Sequence, residues 1–312
     1  MRTALTAGTA ARSGKDTGSY LTLTERDWLA RGATYLAFTK PRIWAVFGLE
    51  AAAGAMLAWR SPAPLPWQGL LGAVAAVVFG AAGAECVTNV IDRSIDARMQ
   101  RTSNRPLPSG ALDASHGLVL GSALMAAGIA LGWWLGMVPL GLLVIGLFDN
   151  VVIYSALAKT STPWSIVLGA PSGAVAALVG YSSVRLPLSP SALALGLFVM
   201  CWIPVHIWSL AWQYRSDYAQ AGVPMAPVAW GPTAFGCAFR LAVAAMVAAA
   251  IWFGAVALPV VLLAVVAVGA VIVGGLALAW IASPSSQGAR RVFATANAYL
   301  LVVLVVSMAA HA

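Results

Sequence analysis

"NVIDRSIDARMQRTSNRPLPSG", residues 89–110, follows a run from Trp67 to Ile91 that is almost wholly apolar. Within 22 residues it places two aspartates, four arginines and two prolines. A membrane-spanning helix takes about 20 mostly apolar residues, and the run from Trp67 meets that length. The polar stretch therefore reads as the loop at one end of a spanning helix. Its first residues keep the helical spacing: Glu85, Asn89, Asp92 and Asp96 fall on one stripe.

Composition sets the class. The chain has 312 residues, 61% of them apolar and only 9% charged, whereas soluble domains carry about 25% charged residues. So much apolar surface cannot be covered in water, and an all-α integral membrane protein is expected, because backbone in lipid must satisfy its own hydrogen bonds. The apolar runs are continuous rather than alternating, which excludes a β-barrel. Cys86, Cys201 and Cys237 have no pairing or metal-ligand spacing and read as bystanders. Residues 1–34 lack the apolar core of a secretory signal. They carry Asp16, Glu25 and Asp27, unlike a transit peptide. A flexible cytoplasmic tail is expected there, followed by one membrane domain over 35–312.

Nine spans are predicted: 43–59, 67–91, 114–135, 137–158, 164–184, 190–213, 234–256, 258–282 and 293–310. Breaks are expected at Pro139 and Pro259, and Pro204 is expected to bend or break the sixth span. Sixteen of the eighteen lysines and arginines then lie on alternate loops; the other side has only Arg60 and Arg185. The positive-inside rule places the N-terminus in the cytoplasm and the C-terminus outside, and the cell inner (plasma) membrane is the expected location. A mitochondrial inner membrane is the weaker alternative.

This topology puts the two most polar loops, 92–113 and 214–233, on one face. Carboxylates at a membrane edge suit Mg²⁺, a hard cation commonly held by one or two carboxylates and substrate phosphates. Arg93, Arg98, Arg101 and Arg105 follow, and arginine forks match phosphate oxygens. A diphosphate with a lipid tail is the ligand this pattern suggests. The bland alternative is structural ion pairing with arginines that merely set topology. Glu50, Glu85 and Asp149 lie inside spans, where a charge is tolerated more easily beside a partner or a polar cavity.

The second loop belongs to "PVHIWSLAWQYRSDYAQAGVPMAPVAWG", residues 204–231, with His206, Trp208, Arg215, Asp217 and Tyr218. Taken together, the two loops resemble the signatures of the UbiA superfamily of intramembrane prenyltransferases. Within it they resemble the heme O synthase family, through Asn89, Asp92, Asp96, Met99, Arg101-Thr102 and Arg105-Pro106-Leu107. "LAFTKPRIW" (36–44) and "ARRVFATANAYL" (289–300) are similar to that family's first- and last-helix segments. The chain departs from the pattern at Ser94, Thr160, Ser165 and Ala176-Ala177, mostly around the fourth and fifth spans.

The resemblance implies nine helices around a central cavity open to lipid. It implies Mg²⁺ held by Asn89, Asp92, Asp96 and Asp217, binding the diphosphate of farnesyl diphosphate. Arg101, Arg105, Lys40, Arg42 and Lys159 would balance the anion's charge, with Arg215 and Tyr218 beside it. His206 would ligate or hydrogen-bond heme B, the acceptor, and Trp208 would pack on its macrocycle. The product would pass to a heme-A-forming enzyme or a terminal oxidase assembly. Two other readings stand beside this one. A UbiA-type enzyme could prenylate a quinone precursor or another aromatic. A transporter would instead show broken helices in paired halves, with charges at mid-membrane.

Overall fold

The computed structural model describes residues 25–60 and 62–310, and no strand occurs among the described residues. Helix α1 is Glu25–Phe38 and α2 is Pro41–Ala58. Then follow α3 (Trp67–Ile91), α4 (Ala114–Leu135), α5 (Met137–Ala158) and α6 (Ser165–Ser182). The chain ends with α7 (Pro190–Gln213), α8 (Pro232–Ala257), α9 (Val260–Ala282) and α10 (Ser286–Ala309). Short helical turns at Arg93–Asp96, Arg215–Gln220 and Ala226–Ala229 lie in the two polar loops.

Eight helices, α3 to α10, are long and apolar enough to cross a membrane. The sequence led us to expect nine. The helix that falls short on composition is α2, whose 18 residues include Arg42 and Glu50. Residues 25–34, expected to be tail, form most of α1; residues 1–24 lie outside the described region.

Pro259 stands at the expected break, capping the start of α9, but Pro139 and Pro204 do not break their helices. The break between α4 and α5 is at Gly136, whose φ of 128° disfavours any side chain. Pro139 sits in the first turn of α5, where its missing N–H costs no hydrogen bond. Nor does Pro204 break α7, which runs through it to Gln213. Prolines are tolerated inside spanning helices because neighbouring groups re-satisfy the freed carbonyl. One departure from regular geometry had no sequence signal. The last ten residues of α5, Asp149–Ala158, are π-helical. The wide turn closes with the Lys159 N–H donating to the Tyr154 carbonyl at 2.8 Å.

Lipid gives helices no hydrophobic reason to associate, so close backbone packing holds the bundle. The contact of α2 with α6 is the tightest case. A Cβ at Gly54 would fall on the Ala177 carbonyl, and one at Gly180 on the Ala51 carbonyl. In α4 the only buried residues are Gly117, Gly121, Gly128 and Gly132. Two large apolar cores result, with a third, small one around Phe38, Cys86, Leu107 and Leu112. The larger joins α7 to α10 with one face of α2, around Phe198, Phe239, Phe253 and Trp280. The smaller lies between α2, α3, α5 and α6, around Val77, Leu147 and Val179.

Replacing Gly180 with Val is expected to destabilise the bundle by about 1–3 kcal/mol or more, the cost of overpacking a filled contact. Gly141→Val, where no atom lies within 4 Å of the added Cβ, is the control. Melting in detergent checks both: Gly180→Val should lose several degrees and Gly141→Val almost none.

Candidate active site

The site sits where the polar ends of α2, α3, α5 and α7 meet. Along the α3 stripe every acid faces a partner from elsewhere in the chain. Glu85 Oε2 is 2.7 Å from Lys40 Nζ, Asp92 Oδ2 is 2.5 Å from Lys159 Nζ, and Asp96 Oδ2 is 2.7 Å from Arg105 Nη1. Asn89 donates its amide to the Phe38 carbonyl at 2.8 Å. All four stripe residues are buried. The two polar loops also touch, since the Arg101 backbone N–H donates to Asp217 Oδ2 at 3.1 Å.

Local backbone explains the placements. Lys40 is the one non-glycine residue with positive φ among the described residues (54°, with ψ 67°). Such a conformation costs about 1–3 kcal/mol and persists only when surroundings fix it. Here it turns the chain from α1 into α2 and delivers the ammonium to Glu85. The π-helical end of α5 likewise delivers Lys159 to Asp92. Burial opposes the charge on Lys159 most strongly. The Tyr154 oxygen, the Asp92 carboxylate and Tyr218 together outweigh it, and the pKa is raised. Lys159 therefore keeps its charge through neutral pH.

Other expected residues fall differently. The Arg101 guanidinium lies 5.1 Å from the Tyr214 ring centroid. Arg215 packs on Trp212 at 4.1 Å and donates to the Trp212 carbonyl at 3.1 Å, away from Asp217. Arg42 is exposed and in no ion pair among the described residues. Tyr218 is buried beside Lys159. His206 is stacked between Trp202 and Phe293, with centroids at 4.4 and 4.5 Å. Trp208 does not share its environment: it is 2% exposed and packed edge-on against Trp230 and Phe235. Two residues apart on a helix point to nearly opposite sides, so the expected joint His206–Trp208 platform does not form.

The expected four-ligand metal set does not converge either. Among the described residues, no three acid, imidazole or thiol groups are gathered closely enough to hold a metal ion. Asp96 and Asp217 have other partners. Asn89 Oδ1 and Asp92 Oδ1, however, are buried without a hydrogen-bond donor. Two such oxygens three residues apart on one helix suit a hard cation, so these two residues fit Mg²⁺.

Below the polar cluster lies a narrow apolar cleft between α2, α3, α5 and α6. Phe47, Val77, Leu143 and Val179 line it, and Glu85 and Asn150 bring polar groups to it. Sequence reasoning missed Asn150, Tyr154 and Tyr214. Each lies in a helix or at its end without motif spacing, and the π-helical register that sets two of them left no trace in the pattern.

The sequence model of the UbiA prenyltransferase family matches residues 49–306. The chain belongs to that family. This UbiA member is similar to a protoheme IX farnesyltransferase of Thermoplasma acidophilum, 41% identical over 203 residues that cover 63% of this chain and 68% of that one. It is also similar to a protoheme IX farnesyltransferase of Hahella chejuensis, 36% identical over 198 residues covering 63% and 66% of the two chains. Its fold is similar to that of a digeranylgeranylglyceryl phosphate synthase, with TM-score 0.74, 16% identity and 90% and 99% of the two chains covered. A UbiA homologue from Archaeoglobus fulgidus bound to GPP and Mg²⁺ matches with TM-score 0.63 and 16% identity, over 88% and 99% of the two chains.

Removing Lys159 should expose the weight of its pair in this UbiA-family site. Lys159→Met leaves Asp92 buried without a cation and is expected to cost about 3–5 kcal/mol. Adding Asp92→Asn should recover much of that loss. A double-mutant cycle on unfolding in detergent measures the coupling, and strictly additive effects would show that the two residues do not stabilise each other.

Proposed function

We propose that this chain transfers a farnesyl group from farnesyl diphosphate to the vinyl group of heme B, with Mg²⁺, giving heme O. The observation that carries the reading is the set of buried acid–base pairs at the mouth of an apolar cleft. Cations are held ready for a diphosphate directly above a space suited to a hydrocarbon tail. The similar protoheme IX farnesyltransferases support farnesyl as the donor group and heme as the acceptor.

In this reading Lys40, Lys159 and Arg105 turn from their carboxylates to the incoming diphosphate, with Arg101 adding charge at the loop. Asn89 and Asp92, joined by Asp96 and Asp217 once their present partners move, would hold Mg²⁺. Bound there, the metal supplies charge stabilisation for the departing diphosphate. Preorganised positive groups stabilise the same charge. The apolar walls exclude water from the allylic cation that forms at C1. His206, with both faces covered, presents only its ring edge to heme B.

Topology supports the proposal. Lys40 at the start of α2 meets Glu85 near the end of α3, and a short link, residues 59–66, joins their other ends. Helix α2 thus runs alongside α3, and we take it as the ninth crossing. The charge bias supports a cytoplasmic polar cluster and N-terminus with the C-terminus outside, and we read the membrane as the plasma membrane. A second reading, prenylation of another aromatic or quinone-type acceptor, draws on Ala176. This residue lines the cleft and departs from the heme O synthase pattern.

The test is turnover of heme B and farnesyl diphosphate by purified protein, with pigment identified by mass. A heme enlarged by a farnesyl group and a water supports the proposal; prenylation of an aromatic and not of heme supports the second reading. Asp92→Asn or Asp96→Asn is expected to lower kcat about a hundredfold or more, with the protein still inserted and folded. Arg105→Lys keeps charge but loses the fork and should raise KM for farnesyl diphosphate. His206→Ala should weaken the heme Soret change while binding of labelled farnesyl diphosphate persists.

A further inference from the structure

The apolar cleft contains a polar feature that the transfer of the farnesyl group does not use. Three polar residues line it: Glu85, Asn150 and Ser172. Ser172 is committed to its own surroundings. Its hydroxyl donates to the Gly169 carbonyl at 2.7 Å and its backbone N–H to Asp149 Oδ2 at 3.0 Å. Asn150 is not committed, since its Oδ1 is buried and has no donor. Glu85 binds Lys40 through Oε2 alone, and no hydrogen bond reaches Oε1 among the described residues. Two residues that line one apolar cleft therefore each carry an oxygen that accepts no hydrogen bond, and that of Asn150 is buried. A buried acceptor without a donor costs about 1–3 kcal/mol, and a small O–H ligand, with two hydrogens to donate, answers both.

The acceptors also sit at the right depth. Along α3, Val77 at the apolar end and Glu85 at the polar end are about 12 Å apart, at 1.5 Å per residue. Glu85 is the cleft residue paired with Lys40, so its level is where a diphosphate held by Lys40 would meet the first carbons of its tail.

We infer that Glu85 and Asn150 hold between them the water that supplies the hydroxyl group of the product. This rests on the heme O reading above. The π pair of the vinyl group forms a bond from its terminal carbon to farnesyl C1. The C1–O bond breaks and its electron pair leaves with diphosphate. The inner vinyl carbon is then a cation, and a lone pair of the held water forms the C–O bond. The water's proton passes to the Glu85 carboxylate. Asn150 is a positioning residue that fixes the water beside that carbon and away from C1. If no water is held, the same cation loses a proton instead, and the product is the farnesylated heme without the hydroxyl, lighter by one water.

Asn150→Leu removes the acceptor at similar volume, and Asn150→Ala removes it with space to spare. Purified full-length variants are supplied with heme B and farnesyl diphosphate, and both products are quantified by mass spectrometry. In both variants the ratio of dehydrated to hydroxylated product is expected to rise about tenfold or more, less than the roughly 10²–10⁴-fold that a proton acceptor contributes, because Glu85 remains. Melting temperature in detergent should not fall for Asn150→Leu, because an unsatisfied acceptor is gone. An unchanged product ratio overturns the inference and leaves the heme reading intact. Loss of farnesyl diphosphate consumption in both variants also overturns it, by placing Asn150 in the first bond-forming step. A wild-type protein that never prenylates heme overturns the heme reading itself, and this inference with it.

Discussion

Three ion pairs, Lys40–Glu85, Lys159–Asp92 and Arg105–Asp96, organise the polar end of the bundle. The first two link segments 45 and 67 residues apart in sequence. The arrangement depends on a balance of opposing costs. A lone carboxylate at the edge of lipid is expensive, and so is a lone ammonium; together they are tolerated. The pairs therefore hold in place the groups that a diphosphate and a cation would use. The strained turn at Lys40 and the widened end of α5 both follow from this demand, because each exists to bring a base to an acid of α3.

The same balance explains why the site is compact in this state. Asp92 and Asp96, which would face a metal, are each neutralised by a base that would face phosphate. A diphosphate and its metal entering together replace both partners at once, so no charge is stranded in lipid. Either one alone leaves an acid or a base uncompensated. In the proposed reaction the groups that act on the substrate would be the same residues that hold the resting structure, in a second pairing.

Much of this was legible in the sequence. Hydropathy gave the bounds of α3, α4, α5 and α7 as they stand, because a run of apolar residues between polar breaks has one outcome in lipid. The stripe Glu85–Asn89–Asp92–Asp96 was legible from spacing, and so was the meeting of the two polar loops, from charge alternation. Helix α2 was harder to classify because Glu50 and Arg42 dilute its apolar content. The partners of the acids were not legible: Lys159 had been assigned to the diphosphate, and its pairing with Asp92 is a tertiary fact. Trp208 was misplaced because motif proximity on the page ignored the turn of the helix, which sends it into the core behind Trp230 while His206 stacks on Phe293. Asn150 stayed hidden since a single amide in an apolar run has no period.

The fully buried residues of helix α4 are all glycines. Its contact with α3 brings backbone close to backbone at Gly121 and Gly128, with the Met125 and Leu135 side chains packed against α3 beside them. Adhesion of that kind depends on distance and hardly at all on which apolar residue points the other way. The helix is therefore a sequence of two kinds of position. Four sites are crowded, with an added Cβ meeting a neighbour at 2.7–3.3 Å, and the rest face lipid or lie half-covered, where one greasy side chain serves as well as another. Over evolutionary time such a helix would drift freely in composition while its four bare positions stay fixed, which would make those glycines the most durable trace of this helix's place in the bundle.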